Sequence, residues 1–190
     1  MALLNDVARV YASSIFEIAK EKNIISQVEE DLRVVAQILA EEADFKSYIY
    51  APGITIEAKK SLMNKVFAGK ISENTLDLLD LLIDNDRQDS ISGIYEAFVK
   101  LDDEHNNRER ITVISQASLE ESLIASIKSQ IGEKLKKEII VTEKVDESIL
   151  GGIIIKIGDL VIDGSLSKGL KNIKSNLLNS KVRSEVAYED

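Results

Sequence analysis

At 190 residues the chain has room for one medium domain or two small ones. Its 44 % of hydrophobic residues suffices for a real core, a single proline leaves little room for low-complexity linker, and the absence of cysteine excludes disulfides, thiol nucleophiles and Cys-based metal sites. A formal net charge of −9 opposes a phosphate backbone and so disfavours nucleic-acid binding. The charge is uneven: carboxylates crowd into Glu29–Asp31, Glu41–Asp44 and Asp102–Glu104, whereas Lys128–Lys137 and Lys168–Arg183 are basic. No basic-then-apolar leader pattern is present, and no apolar run approaches the ~20 residues of a membrane-spanning helix.

Residues 6–21 are predicted to form a helix with an unusually wide apolar arc. Val7, Val10, Tyr11, Ser14 and Ile18 lie on one side, with Ala8, Ala12, Ile15 and Ala19 beside them. Such a helix is either central in a bundle or buried on two sides, one of them by a partner. Ser26–Glu29 reads as a capping box opening a second helix through about Glu42, with Val28, Leu32, Val35 and Leu39 inward. Phe45–Tyr50 reads as a turn before Pro52. Thr55 is positioned to cap a helix carrying Leu62, Met63, Val66 and Phe67, and Ser72 to cap another over Glu73–Asp84. Asn85-Asp86-Arg87 is a break, and Asp89 or Ser90 starts a long helix with Ile91, Ile94, Tyr95, Phe98 and Leu101. Residues 1–107 therefore read as a bundle of about six antiparallel helices with short loops.

The period then changes from 3.6 to 2. Ile111–Ser115 is strand-like, Ser118–Glu121 is a second capping box, and the helix after it places Leu119, Leu123, Ile127, Ile131 and Leu135 at steps of four. Ile139–Val145 alternates like a strand. Ile153–Ile157 and Leu160–Ile162 flank Gly158-Asp159, the pattern of a tight hairpin in which Gly158 takes positive φ and the strand Ile153–Ile157 is buried. A final helix carries Leu170, Ile173 and Leu177. The fold class is α+β: a helical bundle over 1–107, a small domain of about four strands and two helices over 108–180, and a tail, 181–190, expected to fray.

Little in the chain invites chemistry. His105 is the only histidine, and Asp102, Asp103 and Glu104 beside it point in different directions on a helix, which is no metal cluster. The glycines match neither G-x-x-x-x-G-K-[ST] nor G-x-G-x-x-G, and no Gly-x-Ser-x-Gly elbow occurs. No catalytic residue, cofactor or metal ligand is assigned. The residues alone favour a first helix at the centre of its bundle over one half-covered by a partner, and an unrelated two-domain helix-binding adaptor stands as the alternative reading.

Residues 145–165 narrow the choice. Val145-Asp146, Ile149, then Gly151-Gly152-Ile153-Ile154-Ile155-Lys156-Ile157-Gly158-Asp159, then Val161-Ile162-Asp163-Gly164-Ser165, and Leu170 on the last helix, resemble in order and spacing the signature of the delta subunit of bacterial F-type ATP synthase, counterpart of the mitochondrial oligomycin sensitivity-conferring protein. Ala8–Ala12 with Phe16-Glu17 resembles that family's first helix, and Asn85-Asp86-Arg87 its Asn-x-Arg turn, with Asp86 where Gly is usual. The resemblance covers roughly residues 5–178. It implies a non-catalytic stator part that binds neither nucleotide nor ion. Its bundle would hold alpha-subunit N-terminal helices, and its second domain the b subunits of the peripheral stalk. The complex would sit at the cytoplasmic face of a bacterial plasma membrane, which this chain meets only indirectly. The groove implied lies between the first and fifth helices, with Ala8, Tyr11, Ala12, Ile15, Leu78, Leu79, Leu82 and Ile83 as candidate walls. The signature hairpin residues are Gly151, Gly152, Lys156, Gly158, Asp159, Asp163 and Gly164.

Overall fold

The computed structural model describes residues 2–174, with side chains from Asp6 onward. The chain divides into two compact units, Met1–His105 and Asn106–Asp190, so the division falls two residues before the change of sequence period.

In the first unit α1 (Ala2–Glu21), α2 (Ile25–Glu41), α3 (Ala43–Tyr50), α4 (Ile56–Phe67) and α5 (Glu73–Asp84) lead through a 3-10 turn, Gln88–Ser90, into α6 (Ile91–His105). Thr55 and Ser72 cap α4 and α5, accepting hydrogen bonds from the amides of Ala58 and Thr75. Ser26 does not cap α2. Asn23 adopts φ 55°, and the Ile24 amide donates back to the Ala19 carbonyl, so the chain turns straight into α2 with Ile24 at its N-cap. Ser26 therefore already lies inside the first turn. Phe45–Tyr50 is also helix, not turn: Ile49 is fully buried, and Phe45 packs edge-on to Phe67 at 6.0 Å, a tertiary contact that holds a helix too short to stand alone.

The core is built from Phe16, Leu32, Met63, Phe67, Leu79, Ile94, Phe98 and their neighbours. Helices α1 and α6 run parallel, contrary to simple up-and-down alternation. Ala8 meets Gly93 near their N-terminal ends, and Phe16 meets Phe98 at 5.4 Å and His105 at 5.8 Å further along. Asp102 and Asp103, in the stretch that reads as a polar helix end, are buried. Asp86 has φ 54° and its carboxylate accepts from the Gln88 side-chain amide, so Asp serves the left-handed position where Gly is usual.

The second unit holds β1 (Arg108–Ser115), α7 (Glu121–Leu135), β2 (Glu138–Val145), β3 (Ile153–Ile157), β4 (Leu160–Asp163) and a last helix, α8, described over 166–174. The sheet order is β2-β1-β3-β4, with β1 parallel to β2 and antiparallel to β3. Helix α7 starts at Glu121 with Glu120 at its N-cap and no side-chain cap. The amide of Leu119 is taken instead by the Glu143 carboxylate on β2, which delays the helix by two residues. Ile111, Val113, Ile127 and Ile139 form a small core between sheet and helix. β3 is half-buried, not fully buried, because α7 covers the β1–β2 half of the sheet. Leu177 and the tail 181–190 lie outside the described residues.

Asp31, 6 % exposed, joins distant parts of the first unit: its carboxylate accepts from the Ser72 amide at 2.8 Å and the Thr75 hydroxyl at 3.0 Å. A carboxylate at the N-terminus of α5 also complements the helix dipole. Asp31→Ala leaves both donors without this acceptor and is expected to cost about 2–3 kcal/mol in chemical denaturation, with Asp31→Asn retaining much of it. Equal losses in the two variants would show that packing, not hydrogen bonding, sets the effect.

Candidate functional site

The apolar arc of α1 resolves into two arcs. Ala8, Ala12, Ile15, Phe16 and Ala19 face the core and are buried. The small side chains serve a close helix–helix approach: a Cβ added at Gly93 would sit 3.2 Å from that of Ala8. The second arc remains at the surface, with Val10 at 66 % and Ile18 at 41 % exposed, and Tyr11 half-buried.

Helices α1 and α5 flank a surface cleft. Lys22 donates to the Asn74 side chain at 2.6 Å at one end. At the other, Asp6, Val7, Val10, Tyr11, Asn85 and Arg87 surround about 500 Å³ of open space. The helices are therefore antiparallel. Helical spacing puts Val7, Tyr11, Ser14 and Ile18 on one stripe ending at Lys22, and Leu78 and Leu81 on another between Asn74 and Asn85. Leu81 is 47 % exposed.

Of the expected wall residues, Ala8, Ala12, Ile15, Leu78, Leu79, Leu82 and Ile83 are core, and Tyr11 alone reaches the cleft at partial exposure. Val10, Ile18, Leu81, Asn85 and Arg87 were visible in the sequence as apolar or turn residues. Only the packing of α1 on α6 decides which arc is left over.

In the second unit the signature residues form a clasp. Gly151 and Gly152 have φ 145° and 81°. A Cβ on Gly152 would lie 2.4 Å from the Gly164 carbonyl oxygen, and one on Gly151 2.9 Å from Leu166. The Leu166 amide donates to Gly151 and the Gly164 amide to Ile153. Gly158, at φ 54°, turns the hairpin with no neighbour within 4 Å of an added Cβ. Asp159 lies in that turn, and Lys156 is exposed on β3. The Asp163 carboxylate accepts from the Ser165 amide at 2.9 Å, and Ser165 Oγ in turn accepts from the Lys168 amide, capping α8. The Ser165 amide, then the Ser165 hydroxyl, hold the Asp163 carboxyl below its ordinary range. Beyond the clasp, Leu160, Leu166, Leu170 and Ile173 are exposed and Lys168, Lys171 and Lys174 stand beside them.

Among the described residues no group of three His, Cys, Asp or Glu side chains could hold a metal ion, and no helix is long and apolar enough to cross a membrane. His105 is exposed apart from its contact with Phe16.

Residues 7–177 match the family model described as ATP synthase delta (OSCP) subunit. The chain belongs to this family. It is 37 % identical over 176 residues to the ATP synthase subunit delta of Bacillus thuringiensis (strain Al Hakam) and equally to that of Bacillus anthracis, covering 92 % of this chain and 97 % of each relative. A chain in the cryo-EM structure of the Toxoplasma gondii mitochondrial ATP synthase hexamer has the same fold, with a TM-score of 0.67 at 21 % identity over 90 % of this chain and 97 % of that one. The chain is thus a structural, non-catalytic subunit of F-type ATP synthase, and its partners are other subunits of that complex.

Two outcomes test the clasp. Gly152→Ala is expected to cost about 2–4 kcal/mol, since backbone must move, whereas Gly158→Ala meets open space and costs about 1 kcal/mol for its left-handed φ. Thermal melts of the two variants rank them, and an inverted order would contradict the close approach at Gly164. For Asp163 the folded pKa is depressed, so its contribution is present above the ordinary carboxylate range and is lost as pH falls through the depressed value. Asp163→Asn should flatten the acid limb of the stability–pH profile. An unchanged limb would assign acid sensitivity elsewhere.

Proposed function

We propose that this subunit is a stator link, holding the top of the catalytic head to the peripheral stalk so that rotary catalysis stays coupled to ion translocation. The first unit takes an N-terminal helix of an alpha subunit in the α1/α5 cleft. The second unit meets the b subunits of the stalk through the apolar surface of α8 and its lysines. The complex works at the cytoplasmic face of a bacterial plasma membrane.

The observation that carries this reading is the outer arc of α1. Val10 and Ile18 are exposed on a helix whose other arc is already used by the core, and Leu81 is exposed on α5. An amphipathic helix laid in the cleft would cover both rows, the helix-in-groove mode of recognition. Arg87 and Asn85 at one end offer polar groups that would fix its register. A stator must resist torque, and a load spread along a helix–helix contact is borne by many weak interactions with a few apolar anchors.

In the full chain, Val10→Asp and Leu81→Asp are each expected to weaken binding of an alpha-subunit N-terminal peptide by about tenfold or more, with melting temperature unchanged because both side chains are outside the core. Ala12→Trp is expected to unfold the bundle instead, since Ala12 is completely buried. Peptide titration by NMR gives the readout. Undiminished binding by both Asp variants would rule out the α1/α5 cleft.

A further inference from the structure

The two edges of the sheet differ. β2, the edge beside β1, bears Glu138, Glu143 and Lys144 among its eight residues. β4, the other edge, reads Leu-Val-Ile-Asp, and Leu160, Val161 and Ile162 are each about half exposed or more (59 %, 51 % and 47 %). It has no proline, and no charge before Asp163. Exposed apolar edges of this kind are templates for another strand unless something covers them.

The register says which backbone groups are on offer. Ile157 pairs with Leu160 across a two-residue turn, and Ile155 with Ile162. The Gly164 amide donates to the Ile153 carbonyl at 2.9 Å, continuing the same alternation. In an antiparallel ladder every second residue points its N–H and C=O at the partner strand and the residues between point away. Leu160, Ile162 and Gly164 are turned toward β3. Val161 and Asp163 present their amide and carbonyl groups to the outside.

The charge around this edge is one-sided. Lys156 stands directly across from Val161 on β3, and Lys168 and Lys171 lie close enough to Asp163 to lower its carboxyl pKa, after the Ser165 bonds. None of the three lysines forms a salt bridge among the described residues. The Asp163 carboxylate is engaged by Ser165.

We propose that the β4 edge accepts an extended segment of a partner protein, one in which apolar residues alternate with acidic ones, as a fifth strand. A helix satisfies its own backbone and has no use for the outward groups of Val161 and Asp163, whereas an extended chain pairs with them. The lysines select acidic side chains in that chain. A second copy is disfavoured at this edge, because it would bring two lysine sets together. The proposal goes beyond the stalk reading, since it concerns the backbone edge of β4 and not the apolar surface of α8.

The test is titration of the isotope-labelled full chain with a short peptide of alternating valine and glutamate, and with its valine–lysine counterpart. The amides of Val161 and Asp163 are expected to shift and gain protection from exchange with the glutamate peptide. That peptide should bind about tenfold more tightly than the lysine one at low ionic strength, with the difference collapsing in salt. Val161→Pro removes an outward N–H that β3 does not use, so it should abolish peptide binding and leave the melting temperature unchanged. The double variant Lys156→Glu, Lys168→Glu should reverse the charge preference, and it decides the matter if the proline variant fails to fold. Failure of the intact chain to bind overturns the proposal, as does undiminished binding by folded Val161→Pro. Binding only by a chain cut after Ser180 would make the chain's own C-terminal residues the occupant, and sedimentation as a dimer through β4 would make it a second copy; both also overturn it. Stalk association that survives Val161→Pro while peptide binding is lost would keep the two surfaces distinct.

Discussion

Helices α1 and α6 lie close together because Ala8, Ala12 and Ala19 present almost no side-chain bulk and Gly93 presents none. Close approach fixes the rotation of α1 about its axis. Phe16 is then directed onto Phe98 and His105, and the larger residues Val10, Tyr11 and Ile18 are left on the other arc. Everything at the α1/α5 cleft follows from that rotation. A larger residue at position 8 or 93 would push the helices apart and change which side chains the bundle keeps for itself.

The two arcs of α1 divide between core and surface. Core residues determine the shape of the bundle, and the outer arc is free to meet a partner without cost to folding. Asp31 reinforces this by tying α2 to the start of α5, so one wall of the cleft is referenced to the middle of the bundle. The second unit is built differently. Its core is small, its sheet is covered on one half by α7, and its hairpin is clasped by close backbone contacts at Gly151 and Gly152. A unit with much of its apolar surface uncovered reads as one completed by its partners.

The glycines of the signature are explained by space and not by ligand binding. Gly152 is required because another backbone passes 2.4 Å from where its Cβ would be, while Gly158 is required only for its φ. Asp163 and Ser165 then carry the chain from the edge strand into α8. A stretch that has the look of a phosphate cradle is a joint.

Local signals settled much of the architecture. The helical period of residues 6–105, the caps at Thr55 and Ser72, the change to strand alternation after residue 108 and the Gly158 turn all depend on neighbours a few residues apart, and they are legible in one dimension. Family membership was legible for the same reason, through the order and spacing of residues 145–165. Two local signals were overruled at long range, Ser118 losing its capping role beside the Glu143–Leu119 bond and Phe45–Tyr50 becoming helix by packing on Phe67, whereas Ser26 lost its role to a competing local turn at Asn23. The choice between Ala8–Ala12 and Val10–Ile18 as the outward arc was beyond the sequence. Both arcs are apolar at helical spacing, and only the side on which α6 lies, a contact between residues more than eighty positions apart, decides which is core and which is surface.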